Sequence, residues 1–244
     1  MWAMKVVAVI QARVGSTRLP NKVLLNLAGE PMLARCVSRV SRAPNLDEIV
    51  VATTVEQGDE AIVRLCTEFG WPYFRGSEED VLDRYYRTAI AYNADIVVRV
   101  TSDCPLIDPE IIDRLVREFL DRQPDADYAC NVLPRRTFPR GLDTEVIRLD
   151  VLERAWREDT NPLWREHVTT YIQRDPRFRI HCVVNEVDLS YMRWTVDTPE
   201  DLAFSRCVYE HFGHSRFSWH DVLSALEEHP EWLEINGRIR QKEV

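Results

Sequence analysis

VVAVIQARVGSTRLPNK, residues 6 to 22, is the stretch from which the fold can be read. Val6 to Ile10 is β-branched and almost unbroken, the composition of a parallel strand buried on both faces. The chain must then leave as a loop. Gly15 opens backbone conformations closed to other residues, Pro20 excludes a helix interior, and Ser16 and Thr17 bring hydroxyl donors. Arg13, Arg18 and Lys22 place fixed positive charge where the strand ends, which is where open α/β sheets bind ligands. A polyphosphate is the natural occupant. The common fingerprints are absent, because no glycine precedes Lys22 as a Walker loop requires and no G-x-G-x-x-G follows the strand. The loop therefore belongs to another nucleotide-binding design, or it is a plain solvated connection.

Working outward, strand-like and helix-like segments alternate through the first 130 residues. Helix is expected from Pro31 to Arg42, strand from Ile49 to Thr53, helix from Asp59 to Phe69, and a short strand near Tyr73. A helix from about Glu78 to Tyr92 and a buried strand from Ile96 to Val100 follow. This pattern predicts an α/β, doubly wound, Rossmann-like half. In such a sheet the first and fourth strands are neighbours, so the loop at Arg13 should face the loop at Ser102-Asp103 across a crevice.

The second half changes character. Arg135 to Val146 is rich in Arg, Pro and Gly and reads as a lid or lobe. Asn161-Pro162 should cap and open a helix ending near Arg174; Phe178 to Val184 should be a strand. Helices should begin at Thr198-Pro199 and run from Ser218 to Glu228, with Asp201 closing a reciprocal cap. The 244 residues suffice for one α/β domain, with a lid or acceptor-binding subregion at about 131–190.

Composition removes several function classes. A formal charge of −9 argues against a general nucleic-acid binder, since that affinity comes from net positive surface. No stretch approaches the roughly 18 to 20 apolar residues of a membrane helix, and no signal-peptide pattern precedes the first strand, which together predict a cytoplasmic protein. The six cysteines form no C-x-x-C pair and should be reduced and mostly buried. His211 and His214 have no third ligand nearby and read as surface residues at a helix end.

QARVGSTRLPNKVLLNLAGEPML, from Gln11 to Leu33, resembles the signature of cytidylyltransferases that activate acidic sugars, above all their SpsF-like branch. The resemblance continues in order through RGSEEDVLDRYYRTA (75–89), VRVTSDCPLIDP (98–109), GLDTEV (141–146), REHVT (165–169) and RWTVDTPEDL (193–202). It implies a Rossmann-like three-layer sandwich of the GT-A-like nucleotidyltransferase type, with a mostly parallel central sheet and a small lid. It also implies CTP and a small acidic sugar-like acceptor as partners, Mg²⁺ as cofactor, and a homodimer.

The resemblance assigns roles as well. Arg13 and Lys22 would grip the triphosphate, with Gln11, Ala12, Gly15, Ser16, Arg18 and Ser102 lining the same site. Arg75, Gly76 and Ser77 would meet cytosine and ribose, with Asp80 and Arg84 in support, although Ser77 and Asp80 also read as a helix cap and its partner. Asp103 and Asp197, each at the end of a strand-like run, would hold the metal; Arg13, Lys22 and Asp103 form the catalytic set. A capping role for either aspartate is the alternative. Arg140, Asp143, Glu145, Glu166, His167 and Arg193 are candidates for the acceptor side, where mixed charge is equally compatible with salt-bridged surface. A glycosyltransferase is disfavoured, since Ser-Asp-Cys-Pro stands where that class commonly has D-x-D. A non-catalytic nucleotide binder is disfavoured by the joint presence of Arg13, Lys22, Asp103 and Asp197.

Overall fold

The expected first strand forms over Val6–Gln11 (β1) in a computed structural model that describes residues 4–241. Its side chains alternate with the pleat: Val6, Ala8 and Ile10 enter one apolar core, Val7 and Val9 the other. All five are at most 3% exposed, so neither face of this strand meets solvent.

In chain order there follow β2 (Asn26–Leu27), β3 (Glu30–Pro31), α1 (Met32–Val40), β4 (Glu48–Thr54), α2 (Glu60–Phe69), β5 (Tyr73–Gly76), α3 (Val81–Ala91) and β6 (Ile96–Thr101). The second half contributes α4 (Pro109–Asp121), β7 (Tyr128–Cys130), β8 (Glu145–Arg148), α5 (Leu149–Glu158), α6 (Pro162–Glu166), α7 (Thr170–Arg174) and β9 (Ile180–Cys182). Helices α8 (Pro199–Phe212), α9 (Trp219–Glu228) and α10 (Trp232–Asn236) complete the fold. The central sheet runs β5-β4-β1-β6-β8-β7-β9. Its first four strands are parallel, β8 is antiparallel to both neighbours, and β9 is parallel to β7. Helices α1, α2, α4, α8 and α9 bury their apolar stripes in the first core; α3, α5 and α7 use the second. The result is the expected three-layer α/β sandwich with a mostly parallel sheet. None of its described helices is long and apolar enough to cross a membrane.

Strands β1 and β6 are adjacent, with Gln11 opposite Thr101. Beyond them Ser102 N donates to Gln11 O at 3.1 Å, which carries the pairing into the two loops and fixes their separation. On β6 the row Val97, Arg99, Thr101 faces the second core, and it changes from apolar to polar towards the C-terminal end. That change opens the sheet to a cleft instead of a helix.

Two local expectations meet tertiary structure. The subregion at about 131–190 contributes β8 and β9 to the main sheet, so only its irregular stretches stand apart. One of these pairs with the segment before α8: Arg140 N donates to Met192 O at 3.0 Å and Trp194 N to Arg140 O at 2.7 Å. Gly141, at φ +107°, allows this approach, because a Cβ there would lie 2.6 Å from Thr195 N. The single helix expected from Asn161 to Arg174 is two, α6 and α7, broken where Val168 takes φ +62° with its side chain fully buried. Anchoring of Val168 in the second core overrides the helical continuation.

Candidate active site

Where β1 and β6 end, a cleft of about 450 Å³ is lined by the signature loop, the β6 end, the start of α3, the α6 turn and Asp197. The loop is held from outside. Val14 N donates to Asp59 Oδ1 at 2.8 Å, while Asp59 Oδ2 accepts from Thr54 N at 3.2 Å and Thr54 Oγ1 at 2.5 Å. A buried carboxylate thus ties the loop to the end of β4. Within the loop, Ser16 Oγ accepts from Leu19 N at 3.3 Å, and Asn21, in the left-handed region, starts the short 3₁₀ turn carrying Lys22.

Lys22 uses all three ammonium donors. Nζ lies 2.8 Å from Asp103 Oδ2, 2.8 Å from Asp197 Oδ1 and 3.0 Å from Val196 O. The two aspartates converge because Val196 N donates to Asp103 O at 2.8 Å, joining segments 93 residues apart. Asp197 also pairs with Arg18 at 3.0 Å and Arg193 at 2.9 Å; Arg193 in turn holds Asp201 at 2.8 Å. Asp201 forms the reciprocal cap of α8 with Thr198 and additionally accepts from Asp197 N at 3.0 Å. Burial raises the pKa of Asp103, but the Lys22 ammonium outweighs it and holds this carboxyl below the usual range. Burial works against the Lys22 cation too, and Asp103 and Asp197 more than compensate, so Lys22 is charged at neutral pH.

Two convergent hard-oxygen donors around a cation fit Mg²⁺, which takes one or two carboxylates and completes its shell with substrate oxygens and water. The ammonium occupies the place of such a charge. Among the described residues no group of three or more His, Cys, Asp or Glu could enclose a metal, so a bound ion here would depend on substrate oxygens.

Gln11, Ala12, Arg13, Gly15, Ser16, Arg18, Lys22, Ser102, Asp103, Asp197, Glu166 and His167 all line the cleft. Others stand behind its wall. Arg75 turns towards β4 and α2, donating to Thr54 O at 3.0 Å and Glu56 O at 3.2 Å and pairing with Glu60 at 2.9 Å. Gly76 packs against Arg84, whose guanidinium reaches Ser77 O and whose side chain lines the cleft. Ser77 and Asp80 follow the capping alternative: Ser77 Oγ accepts from Asp80 N, and Asp80 Oδ1 caps α3 at 2.9 Å. Asp80 Oδ2 also holds Arg165 at 2.8 Å, fixing α6 and the turn that presents Glu166 and His167.

On the acceptor side, Asp143 is bound by Arg136, Arg140 lies in the bridge to Arg193, and Arg193 is enclosed among Asp197 and Asp201. None of these three lines the cleft. Glu145 belongs to β8 and not to an irregular lid; it is 5% exposed and bound by Arg99 at 2.5 Å. Neither Arg99 nor Asp59 was singled out from sequence. For Arg99 a signal exists, a lone cation inside the otherwise apolar and β-branched IVVRVT strand; for Asp59, one acid in an ordinary acidic turn, none does. Cys36 and Cys104 are buried with their thiols pushed up by that burial, which leaves no thiolate nucleophile there.

The spore coat polysaccharide biosynthesis protein SpsF of Bacillus subtilis is 32% identical over 232 residues, 91% of this chain and 94% of that protein. A solved cytidylyltransferase from Leptospira borgpetersenii superposes with a TM-score of 0.91 at 35% identity, covering 99% of this chain and 100% of that one. The fold is shared with a CMP:2-keto-3-deoxy-manno-octonic acid synthetase complexed with CTP, at TM-score 0.67 and 23% identity over 85% of this chain and 99% of that one. The model of the cytidylyltransferase family matches residues 7–211, and with these likenesses it shows that the chain belongs to the cytidylyltransferases, CTP-dependent nucleotidyltransferases.

Proposed function

We propose that this enzyme transfers CMP from CTP to an acidic, sugar-like acceptor, with Mg²⁺ bound and pyrophosphate released. The observation that carries the reading is the junction of Lys22 with Asp103 and Asp197 at the mouth of a cleft whose other wall is the cationic signature loop. An acceptor oxygen attacks the α-phosphorus as its bond to the bridging oxygen breaks. The protein's tasks are then alignment and neutralisation of charge on the phosphates.

Arg13 and Arg18 line the cleft with side chains more than two-fifths exposed, and would exchange their pairs with Glu78 and Asp197 for a triphosphate. Asp103 and Asp197 would hold Mg²⁺, which when bound supplies charge neutralisation at the phosphate oxygens. Because Lys22 uses those same carboxylates, its role at the phosphates requires an exchange in which the ammonium leaves them. Arg18, Lys22 and Arg193 balance Asp103, Asp197 and Asp201 one for one, so an added dication needs the anionic triphosphate to take up the displaced cations. Gln11, Ala12, Gly15, Ser16 and Ser102 complete the nucleotide wall, and Glu166 and His167 face the acceptor. Gly76, Ser77 and Asp80 support that wall through Arg84 and Arg165, Arg75 braces β4 and α2 behind it, and Arg140 and Arg193 order the segment carrying Asp197, with Asp143 held by Arg136 outside the cleft. The homodimer implied by the family resemblance and the cytoplasmic setting expected from the sequence pattern belong to the same proposal.

A pyrophosphate-release screen tests it, with CTP, UTP, ATP and GTP set against keto-deoxy sugar acids and sugar phosphates. CTP should exceed either purine triphosphate at least tenfold with an anionic acceptor. Equal turnover with a purine triphosphate would overturn the assignment.

A further inference from the structure

Arg99 occupies a position that packing alone would give to an apolar residue. It stands on β6 between Val9 of β1 and Glu145 of β8, on the row whose neighbours Val7, Val9 and Val97 are all in the second core. Its side chain is 14% exposed, and that exposure is into the cleft. Nη1 lies 2.5 Å from Glu145 Oε1, whereas Nε is buried without a partner among the described residues. Burial disfavours the Arg99 cation, but Glu145 outweighs it, and the guanidinium stays charged.

Glu145 is itself immobilised. Its second oxygen accepts from the Tyr128 hydroxyl at 2.9 Å, and that hydroxyl accepts from Gln173 Nε2 at 2.9 Å. Gln173 also donates to Thr169 Oγ1 at 3.1 Å, at the start of α7. The chain of bonds holds Arg99 in one orientation, with Nη1 engaged by Glu145, Nε buried, and the exposed part of the side chain turned to the cleft. A guanidinium so fixed donates charge-assisted hydrogen bonds to a carboxylate or phosphate, which are stronger than those to a neutral acceptor. A buried ion pair contributes little net stability compared with apolar packing, so stability alone does not account for a charged pair at the cleft floor.

The location separates Arg99 from the proposed triphosphate site. Arg13, Arg18 and Lys22 come from the loop after β1, while Arg99 lies on β6 beside Glu145 of β8, in the cleft that Glu166 and His167 also line. Glu145 balances the charge of Arg99, so what the pair presents to the cleft is a fixed charge-assisted donor. We propose that Arg99, positioned by Glu145 and Tyr128, binds an anionic group of the acceptor, a carboxylate or phosphate, and so selects charged over neutral sugars. This rests on the reading of the cleft as a cytidylyltransferase site.

The test measures dissociation constants by calorimetry on the full chain for CTP, 3-deoxy-manno-octulosonate, its methyl ester, mannose 6-phosphate and mannose. Wild type should bind at least one anionic probe tenfold or more tightly than its neutral counterpart. Glu145→Gln keeps the cation and should keep that preference; Arg99→Gln with Glu145→Gln, a neutral pair of similar shape, should abolish it. Arg99→Lys preserves the ion pair but not the planar fork and should weaken the anionic probe severalfold, giving a second measure should the double variant fail to fold. No preference for charge in wild type, or a preference that persists in the folded double variant or is unchanged in Arg99→Lys, would overturn the proposal. CTP affinity should stay within about twofold throughout; failure of wild type to bind CTP would instead overturn the functional reading beneath it.

Discussion

Replacing Lys22 by Met removes the one cation that touches both Asp103 and Asp197, while keeping an unbranched chain of similar length. The ammonium makes three hydrogen bonds of 2.8, 2.8 and 3.0 Å. Asp197 retains Arg18 and Arg193, but among the described residues Asp103 has no other ion pair. Breaking a fully buried pair costs about 3–5 kcal/mol. The Asp103 side chain is 26% exposed, so water recovers part of this, and about 1–2 kcal/mol of stability should be lost. Turnover should suffer more: losing one donor to transition-state charge lowers kcat by about 10² to 10³. Mg²⁺ affinity without nucleotide should move the opposite way. In wild type the dication must displace hydrogen bonds between charged groups, each worth about 1.5–3 kcal/mol net. Even partial recovery by water leaves a difference of roughly 1.4 kcal/mol, about tenfold tighter binding in Lys22→Met. Urea unfolding, pyrophosphate release at saturating CTP and Mg²⁺ calorimetry read the three quantities. Turnover within threefold of wild type, together with unchanged Mg²⁺ affinity, would refute both the phosphate role and the exchange.

Asp103→Asn and Asp197→Asn should each abolish Mg²⁺-dependent turnover, and the double variant should be little worse than either, because residues acting through one ion fail together; independent, multiplicative losses would separate their roles. The variants should differ in stability, since Asp197 is 7% exposed and bound by three cations, so Asp197→Asn should melt several degrees below Asp103→Asn in a thermal scan. Asp59→Ala should raise the KM for CTP severalfold while changing kcat less, because it frees the signature loop at Val14 without touching the cleft; an unchanged KM would show that the loop holds itself. At Asp127, burial raises the pKa but the hydrogen bonds and charge of Arg179, with Arg148 adding to them, lower it on balance. A depressed folded pKa contributes stability that is fully present above the unfolded value near 3.9 and is lost as pH falls through the folded one. Asp127→Asn should therefore be less stable than wild type at pH 7 by about 1–2 kcal/mol, with the gap closing below pH 4 in urea titrations; a constant gap would remove the charge from the explanation.

Sequence by itself determined the parallel half of the sheet and the place of the phosphate loop. Both follow from short-range chemistry: a β-branched run buried on two faces, a Gly- and Pro-containing exit, and alternation with amphipathic helices that forces β1, β4, β5 and β6 into their order. The caps at Asn161 and Thr198 were equally legible, since a cap is decided within four residues. Tertiary structure decided what depends on distant partners. Val168 breaks a helix that local pattern would continue, because its side chain is anchored in a core assembled from other segments. Glu145 reads as part of an irregular, mixed-charge segment until β8 inserts beside β6 and places it against Arg99. Arg75 carries the charge expected of a nucleotide contact, yet the carbonyls of Thr54 and Glu56 turn it away from the cleft. Above all, nothing local links Lys22, Asp103 and Asp197. They meet because Val196 N finds Asp103 O across the sheet's end, and because opposite charges attract more strongly where most of their surface is withdrawn from solvent.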